Sequence, residues 1–467
     1  MKKSFLMGAA ALLLSVAGLT AAHVQLTRAG ESLRFPEKTY LGDRSILSDL
    51  TLEVANNYVG RLFWDSTLTL ESEPETEFRL VSGADAWGEK VEDPPRIWMQ
   101  ISVSGGADFH PGPYTQDFSG FEGRESNFLD QQWDYVWEVA EKTPADGTYT
   151  EAKRFGDYYE AYLPEIKLQM GDVDVTSGRE DWYQPDDPIQ DWVRFVNDLR
   201  QAFRFPVLPD HTVEVKTGKT GEFFTDVDVI DLAHWPQLWT FDHNTRDTVY
   251  FVPMATDGET GQLMDYALTP AGYGVYSFPM GEEAPTLADL KLFTPLDEEE
   301  RLDAMTFDAD LSHMLLILTR GEEELIRILD LETGEMEIDL SFPNSHNMRG
   351  ISAKEDLVLY AHDRQIDLFR KQNGGYVWEM TAKVPESFTP WTVDSLYITE
   401  MDFAYDGSRL AVFQNAGGRR ARQTGVSELL LMAFEDGTPI YCGTLQNELT
   451  RGLFPHFYEP VLKLGFQ

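Results

Sequence analysis

The chain has 467 residues and carries 79 acidic against 38 basic side chains, a formal net charge of −41. With 42% hydrophobic and 12% aromatic residues it can bury a sizeable core, which excludes a wholly disordered acidic protein. Scarce Lys and Arg argue against nucleic-acid binding, and a single cysteine, Cys442, excludes a disulfide framework and any multi-cysteine zinc or iron–sulfur site.

Lys2 and Lys3 precede an uncharged apolar run from Phe5 to Ala22 that ends in Thr20-Ala21-Ala22. This pattern predicts residues 1–22 to be a signal peptide, or an uncleaved N-terminal membrane anchor. Either places the remaining chain outside the cytoplasm, secreted or tethered, with a membrane contact only through this segment.

From Leu50 the pattern is short β segments divided by turn residues. Leu50 to Val54 reads as a strand. Arg61 to Leu70 follows, with Leu62, Trp64, Leu68 and Leu70 in one parity. Glu77 to Val81 and Ile97 to Val103 read the same way. Residues 105–130, broken by Pro111-Gly112-Pro113, predict a long loop. Trp133 to Val139 and Tyr162 to Met170 predict further strands. One amphipathic helix is expected near 188–203, capped by Asp187 with Pro188 at its first position and Gln190 completing a capping box. Ile189, Trp192, Val193, Val196, Leu199 and Phe203 follow its spacing, and this face is expected to pack on a sheet.

After residue 211 the β signal becomes repetitive. Met305 to Met314 aligns with Met401 to Leu410 at an offset of 96, and a weaker copy near Leu357 lies between them, giving about 48 residues per unit. An earlier copy spans Thr248 to Leu268, so four units are expected after residue 245. A small sheet cannot bury both faces alone, so such units must stack on their neighbours.

Phe403-Ala404-Tyr405-Asp406-Gly407-Ser408-Arg409-Leu410-Ala411-Val412-Phe413 resembles the WD40-like repeat of TolB-type β-propellers. Leu329-Asp330-Leu331-Glu332-Thr333-Gly334 resembles the Asp-x-x-Thr-Gly turn of WD40 and quinoprotein-like propellers; Leu311 stands where a Gly is expected in the 305–318 unit. The resemblance covers about residues 245–446 and implies an all-β propeller of about seven or eight four-stranded blades, with no particular activity. Residues 31–210 form a β-rich N-terminal region, read either as early blades with insertions or as a separate domain. Residues 211–467 hold the propeller repeats.

No catalytic motif is present, so no catalytic residue is assigned. The candidate ligand contacts are aromatic and basic. Trp133 and Trp137 share a strand parity with Tyr135, Trp182-Tyr183 sits in an Asp-rich loop, and Arg419, Arg420 and Arg422 form a lone basic run. Aromatics beside acids suit glycan stacking as well as core packing. Asp172, Asp174, Asp226 and Asp228 are weak metal candidates, two on each strand face, and Ca²⁺ is the one cofactor they would suit. His234 and His243 flank Trp235 and Trp239 and read as structural. The expected function is non-catalytic binding of a protein or other ligand at a blade-loop face. The alternative is a glycan-binding or glycan-hydrolysing propeller using residues 130–185.

Overall fold

The structure, a computed structural model, describes residues 20, 24–25, 35–58, 62–69, 75–80, 95–100, 130–171, 173–178, 183–184, 189–221, 223–233, 236–343, 349–388, 401–415, 427–447 and 461–466. The segments 1–19, 105–129 and 416–426 lie outside them, and so do Asp172, Trp182, Asp187, Pro188 and His234.

Alternating apolar residues and short turns build antiparallel meanders. Sheet B runs Pro236–Asn244, Thr248–Asp257, Gly274–Pro279 and Lys291–Pro295. Sheet C runs Glu300–Phe307, His313–Arg320, Glu323–Asp330 and Met336–Pro343. Sheet D runs Arg349–Lys354, Leu357–His362, Gln365–Gln372 and Gly375–Lys383. Sheet E runs Met401–Tyr405, Arg409–Asn415, Ser427–Glu435 and Thr438–Asn447, and Glu37–Leu41 adds a fifth strand at its edge. These are the four units expected from the repeat.

Sheet A joins the two ends of the chain. Val461–Phe466 pairs with Leu50–Tyr58, which continues into Leu62–Thr69 and Glu75–Leu80. Two three-stranded sheets remain, with a two-stranded one that pairs Phe205–Pro206 with Ala161–Tyr162. Sheet F holds Arg96–Gln100, Glu165–Met170 and Val173–Thr176; sheet G holds Asp146–Arg154, Thr212–Thr220 and Phe223–Ala233. Sheets A, E and G therefore each combine strands from both sides of residue 210.

Each sheet buries a face against the next. Tyr250 of sheet B lies edge-on to Phe307 of sheet C, 5.6 Å between centroids. Leu315, Ile317 and Ile328 of C meet Val358, Tyr360 and Phe369 of D. Leu359 and Leu368 of D meet Leu410 and Met432 of E, where the free thiol of Cys442 is buried and pushed up to about 12 by desolvation. Phe413 and Leu431 of E meet Leu52 and Val54 of A. Lys354 ties three first strands together: its Nζ donates to Asp402 of sheet E at 3.0 Å, to the Phe403 carbonyl at 3.1 Å and to the Leu464 carbonyl of sheet A at 2.6 Å.

A bulge recurs between the third and fourth strands of sheets B, C, D and E. It leaves Phe293, Glu337, Glu379 and Ile440 as the extra residues. A bulge re-aims the side chains beside it, and two of these four are acids.

Two sequence expectations need correction. Residues 133–139 are not a strand: Asp130–Lys142 is a helix, α1. Tyr135, Val136, Val139 and Ala140 are buried, which is helical spacing. The aromatics at 133, 135 and 137 imitate a period of two inside a segment of helix formers. The second helix, α2, spans Gln190–Ala202 and buries Trp192, Val193, Phe195, Val196 and Leu199 on sheet F, as expected of a sheet-packed helix. Its N-cap, however, is Ile189, without a side-chain cap, and Gln190 instead donates Nε2–H to the Gln184 carbonyl at 2.7 Å.

Candidate functional site

The aromatics singled out in sequence divide between core and surface. Tyr135 and Tyr162 are fully buried, with Phe155 stacked 5.3 Å from Tyr162. Trp133 and Trp137 lie one turn apart on α1. Tyr183 is half-buried and accepts the Thr176 N–H at 2.9 Å. Trp182, Arg419, Arg420 and Arg422 lie outside the described residues. Of the metal candidates, Asp174 is exposed and meets Lys167 at 3.5 Å. Asp226 and Asp228 stand opposite Gly218 and Lys216 in sheet G. His243 stacks on Phe307 at 4.7 Å, and burial lowers its pKa, as suits a structural histidine.

Two other clusters carry chemistry. The first is a cavity of about 350 Å³ where the edge strand of sheet D meets the turns of sheet E. Trp378, Glu379, Thr381, Tyr405, Ser408 and Asp436 line it. Trp378 is 57% exposed, the highest value among the exposed large hydrophobics of the described residues. The bulge at Glu379 sets Trp378 outward. A chain of hydrogen bonds running from the surface to a buried acid then fixes it: Trp378 Nε1–H donates to Thr381 Oγ1 at 3.1 Å, and Thr381 donates to Asp367. Asp367 is 2% exposed and takes His362 Nε2 at 2.8 Å and Gln365 Nε2 at 2.9 Å. Burial opposes ionisation of Asp367, but these bonds hold its pKa below the usual value. The opposite wall is Tyr405, whose OH lies 3.2 Å from Glu379 Oε1 and 2.9 Å from the Gly407 carbonyl. Gly437, at φ 77°, follows the lining residue Asp436; a Cβ there would overlap the Thr381 carbonyl oxygen, so only glycine fits.

The second cluster sits at one end of sheet C. Asp330 Oδ1 accepts the Thr333 N–H at 2.6 Å and the Glu332 N–H at 2.9 Å, with Gly334 at φ 72°, the Asp-x-x-Thr-Gly turn anticipated from sequence. These backbone bonds hold the Asp330 pKa low. His313, paired opposite Asp330 and 1% exposed, places Nδ1 2.9 Å from Asp308 Oδ2. Its Nε2 faces Glu337 Oε2 at 3.3 Å and Asp330 Oδ2 at 3.9 Å. On the Nδ1 side, Lys371 Nζ meets Asp308 Oδ2 at 3.3 Å and Asp310 at 2.9 Å. Burial works against the Asp310 charge, yet Lys371 and Ser312 keep its pKa well below the usual range. Sequence motifs cover only part of each cluster: Tyr405 and Ser408 fall in the 403–413 repeat and Asp330 in the Asp-x-x-Thr-Gly turn. Trp378 belongs to no motif, and Asp308, His313, Asp330 and Glu337 are scattered over three strands and a turn.

No protein-family model and no curated protein matches the chain. Among solved structures it is similar to a prolyl endopeptidase, at 10% identity and TM-score 0.26, covering 91% of this chain and 47% of that one. The chain thus spans about half the length of that enzyme. It is also similar to an oligogalacturonate lyase in complex with manganese, at 12% identity and TM-score 0.27, covering 89% and 96%. A third is the Swd1 β-propeller domain of Myceliophteria thermophila, at 13% identity and TM-score 0.19, covering 50% and 93%. Overlaps this low assign no activity to this chain.

Proposed function

We propose that the chain is an extracytoplasmic β-propeller that binds a protein partner without catalysis, through the Trp378 cavity. In this reading sheets F, B, C, D, E and A follow one another as six blades, fewer than the seven or eight that the resemblance implied. Sheet G and α1 are an insertion, and the C-terminal strand 461–466 closes the ring inside sheet A. First strands of neighbouring sheets lie side by side in the pairs F–B, B–C, D–E and E–A, which supports this order.

The observation that carries the binding reading is the exposed indole of Trp378, tied through Thr381 to the buried Asp367, beside Tyr405 and two carboxylates, Glu379 and Asp436. A pre-oriented aromatic wall lowers the entropy lost on binding. Arg370 already lies 5.5 Å from the Tyr405 ring centre and 3.5 Å from Glu379, and the exposed Trp378 ring beside Asp436 suits a Lys or Arg of the partner in the same way, by cation–π contact and ion pairing. The net charge of −41 draws basic partners toward the surface. The ligand in this reading is a basic segment of another protein, and the site lies at a sheet edge beside turns.

The same rings and acids also suit a sugar, which keeps a glycan as the second reading, now at Trp378 and not at residues 130–185. An array carrying basic, neutral and acidic decapeptides together with glycans separates the two. Basic peptides bound by the full chain and lost in Trp378→Ala support the proposal. Glycan binding lost in the same variant replaces it, and binding of either class that survives the substitution removes the cavity from the account.

A further inference from the structure

We propose a binding site for a divalent transition ion, Zn²⁺ by preference, formed by His313 Nε2, Asp330 Oδ2 and Glu337 Oε2 at the end of sheet C. It is separate from the Trp378 cavity and does not depend on that reading.

The argument begins with a proton. His313 Nδ1 lies 2.9 Å from Asp308 Oδ2 and 2.8 Å from Ser312 Oγ; the carboxylate can only accept whereas the hydroxyl can do either, so we assign the hydrogen to Nδ1. In the neutral imidazole Nε2 then presents a lone pair. This atom is buried in a side chain 1% exposed, and among the described residues it has no hydrogen-bond partner. It nevertheless faces two carboxylate oxygens, at 3.3 Å and 3.9 Å. Three acceptors converge where no donor stands between them, an arrangement that a cation stabilises. The other side of the ring differs, because there the Lys371 ammonium already sits among Asp308 and Asp310.

The geometry fits a small ion. Ligand atoms about 2.1 Å from a tetrahedral Zn²⁺ lie ~3.4 Å apart, between the two distances here. One imidazole and two carboxylates suit Zn²⁺ or Mn²⁺ and disfavour Ca²⁺, which takes oxygen ligands. Asp308 behind the imidazole is the partner that metal-bound histidines usually have, fixing tautomer and ring orientation. The other two ligands are pre-positioned. Asp330 spends Oδ1 on its turn and leaves Oδ2 toward His313. Glu337 is the bulged residue of its strand, and the Tyr376 N–H holds its Oε2 at 2.8 Å. The two carboxylates are 24% and 20% exposed, so an ion and a water in the fourth position can enter from solvent.

The test uses the metal-stripped full chain and Zn²⁺ alone as the probe, by calorimetry, with excess Ca²⁺ present to cover weak sites on the acidic surface. One Zn²⁺ per chain is expected. Asp330→Asn with Glu337→Gln keeps the acceptors for the turn and for Tyr376, so the fold is retained, and affinity should fall about 100-fold. Zinc X-ray absorption of the wild type should show a first shell of oxygen with one imidazole. Absence of binding at about 100 μM Zn²⁺, or equal affinity in the folded double variant, would overturn the proposal.

Discussion

Replacing Lys354 with Met tests whether the sheets are stitched through their first strands. Lys354 Nζ reaches Asp402 of sheet E and the carbonyls of Phe403 and Leu464. Asp402 is 14% exposed, and its only other bond among the described residues is from the Leu464 N–H of sheet A. The substitution removes the lysine cation from that carboxylate and one donor from each of two carbonyls. Lys354 itself is 37% exposed, so solvent recovers part of the loss. The net cost is ~2–3 kcal/mol. A chain this long has an unfolding entropy near 1 kcal/mol per degree, so Tm should fall by about 2–3 °C. Hydrogen exchange gives the sharper reading. Strand Val461–Phe466 is held by its pairing with Leu50–Ala55 and by this lysine–aspartate pair, so its amides should exchange faster than those of sheets B and C. Exchange unchanged at 461–466, with Tm within half a degree of the parent (roughly 0.5 kcal/mol by the same conversion), would refute the stitch.

Three further outcomes follow from individual contacts. Asp242 is half-buried, and desolvation raises its pKa to about 6, against 3.8 ordinarily, despite the Ile97 N–H and Arg96. The folded state holds this proton to higher pH than the unfolded one, so stability falls as pH rises from about 4 to 6. Asp242→Asn should therefore stabilise at pH 8 by ~1–2 kcal/mol after allowing for exposure, and be nearly neutral at pH 4, as read from melts at both pH values. Leu311 adopts φ 61° where the sister unit has Gly407 at φ 105°; Leu311→Gly should raise stability by about 1 kcal/mol, measured by urea midpoint. Arg327 holds Glu300, 1% exposed, through bonds of 2.6 Å and 2.7 Å. Arg327→Met should cost ~3–5 kcal/mol, and Arg327→Met with Glu300→Leu much less, because the pair leaves no buried charge behind.

Local features were legible and distant pairings were not. The Asp330 turn and the strands around residues 305–331 follow from neighbours in sequence, and the structure has them where the repeat put them. Helix α2 was read from its spacing, whereas α1 was misread because three aromatics alternate within it. The closure of sheet A pairs Leu50 with Phe466, and no local pattern signals a partner that far along the chain. The His313 cluster depends on hairpin register and one bulge, which set Asp330 and Glu337 near an imidazole from another strand. An exposed tryptophan on an edge strand was a usable signal for Trp378. Its significance came only with the buried His362–Asp367 pair that holds it.

The most direct test of the binding account is calorimetry of the tightest basic decapeptide from the array against the full chain, Trp378→Ala, and Glu379→Gln with Asp436→Asn. The account predicts a loss of about tenfold or more in the tryptophan variant, a smaller loss in the charge variant, and weaker binding by the parent as salt rises. Equal affinity for parent and Trp378→Ala, both folded, would contradict it.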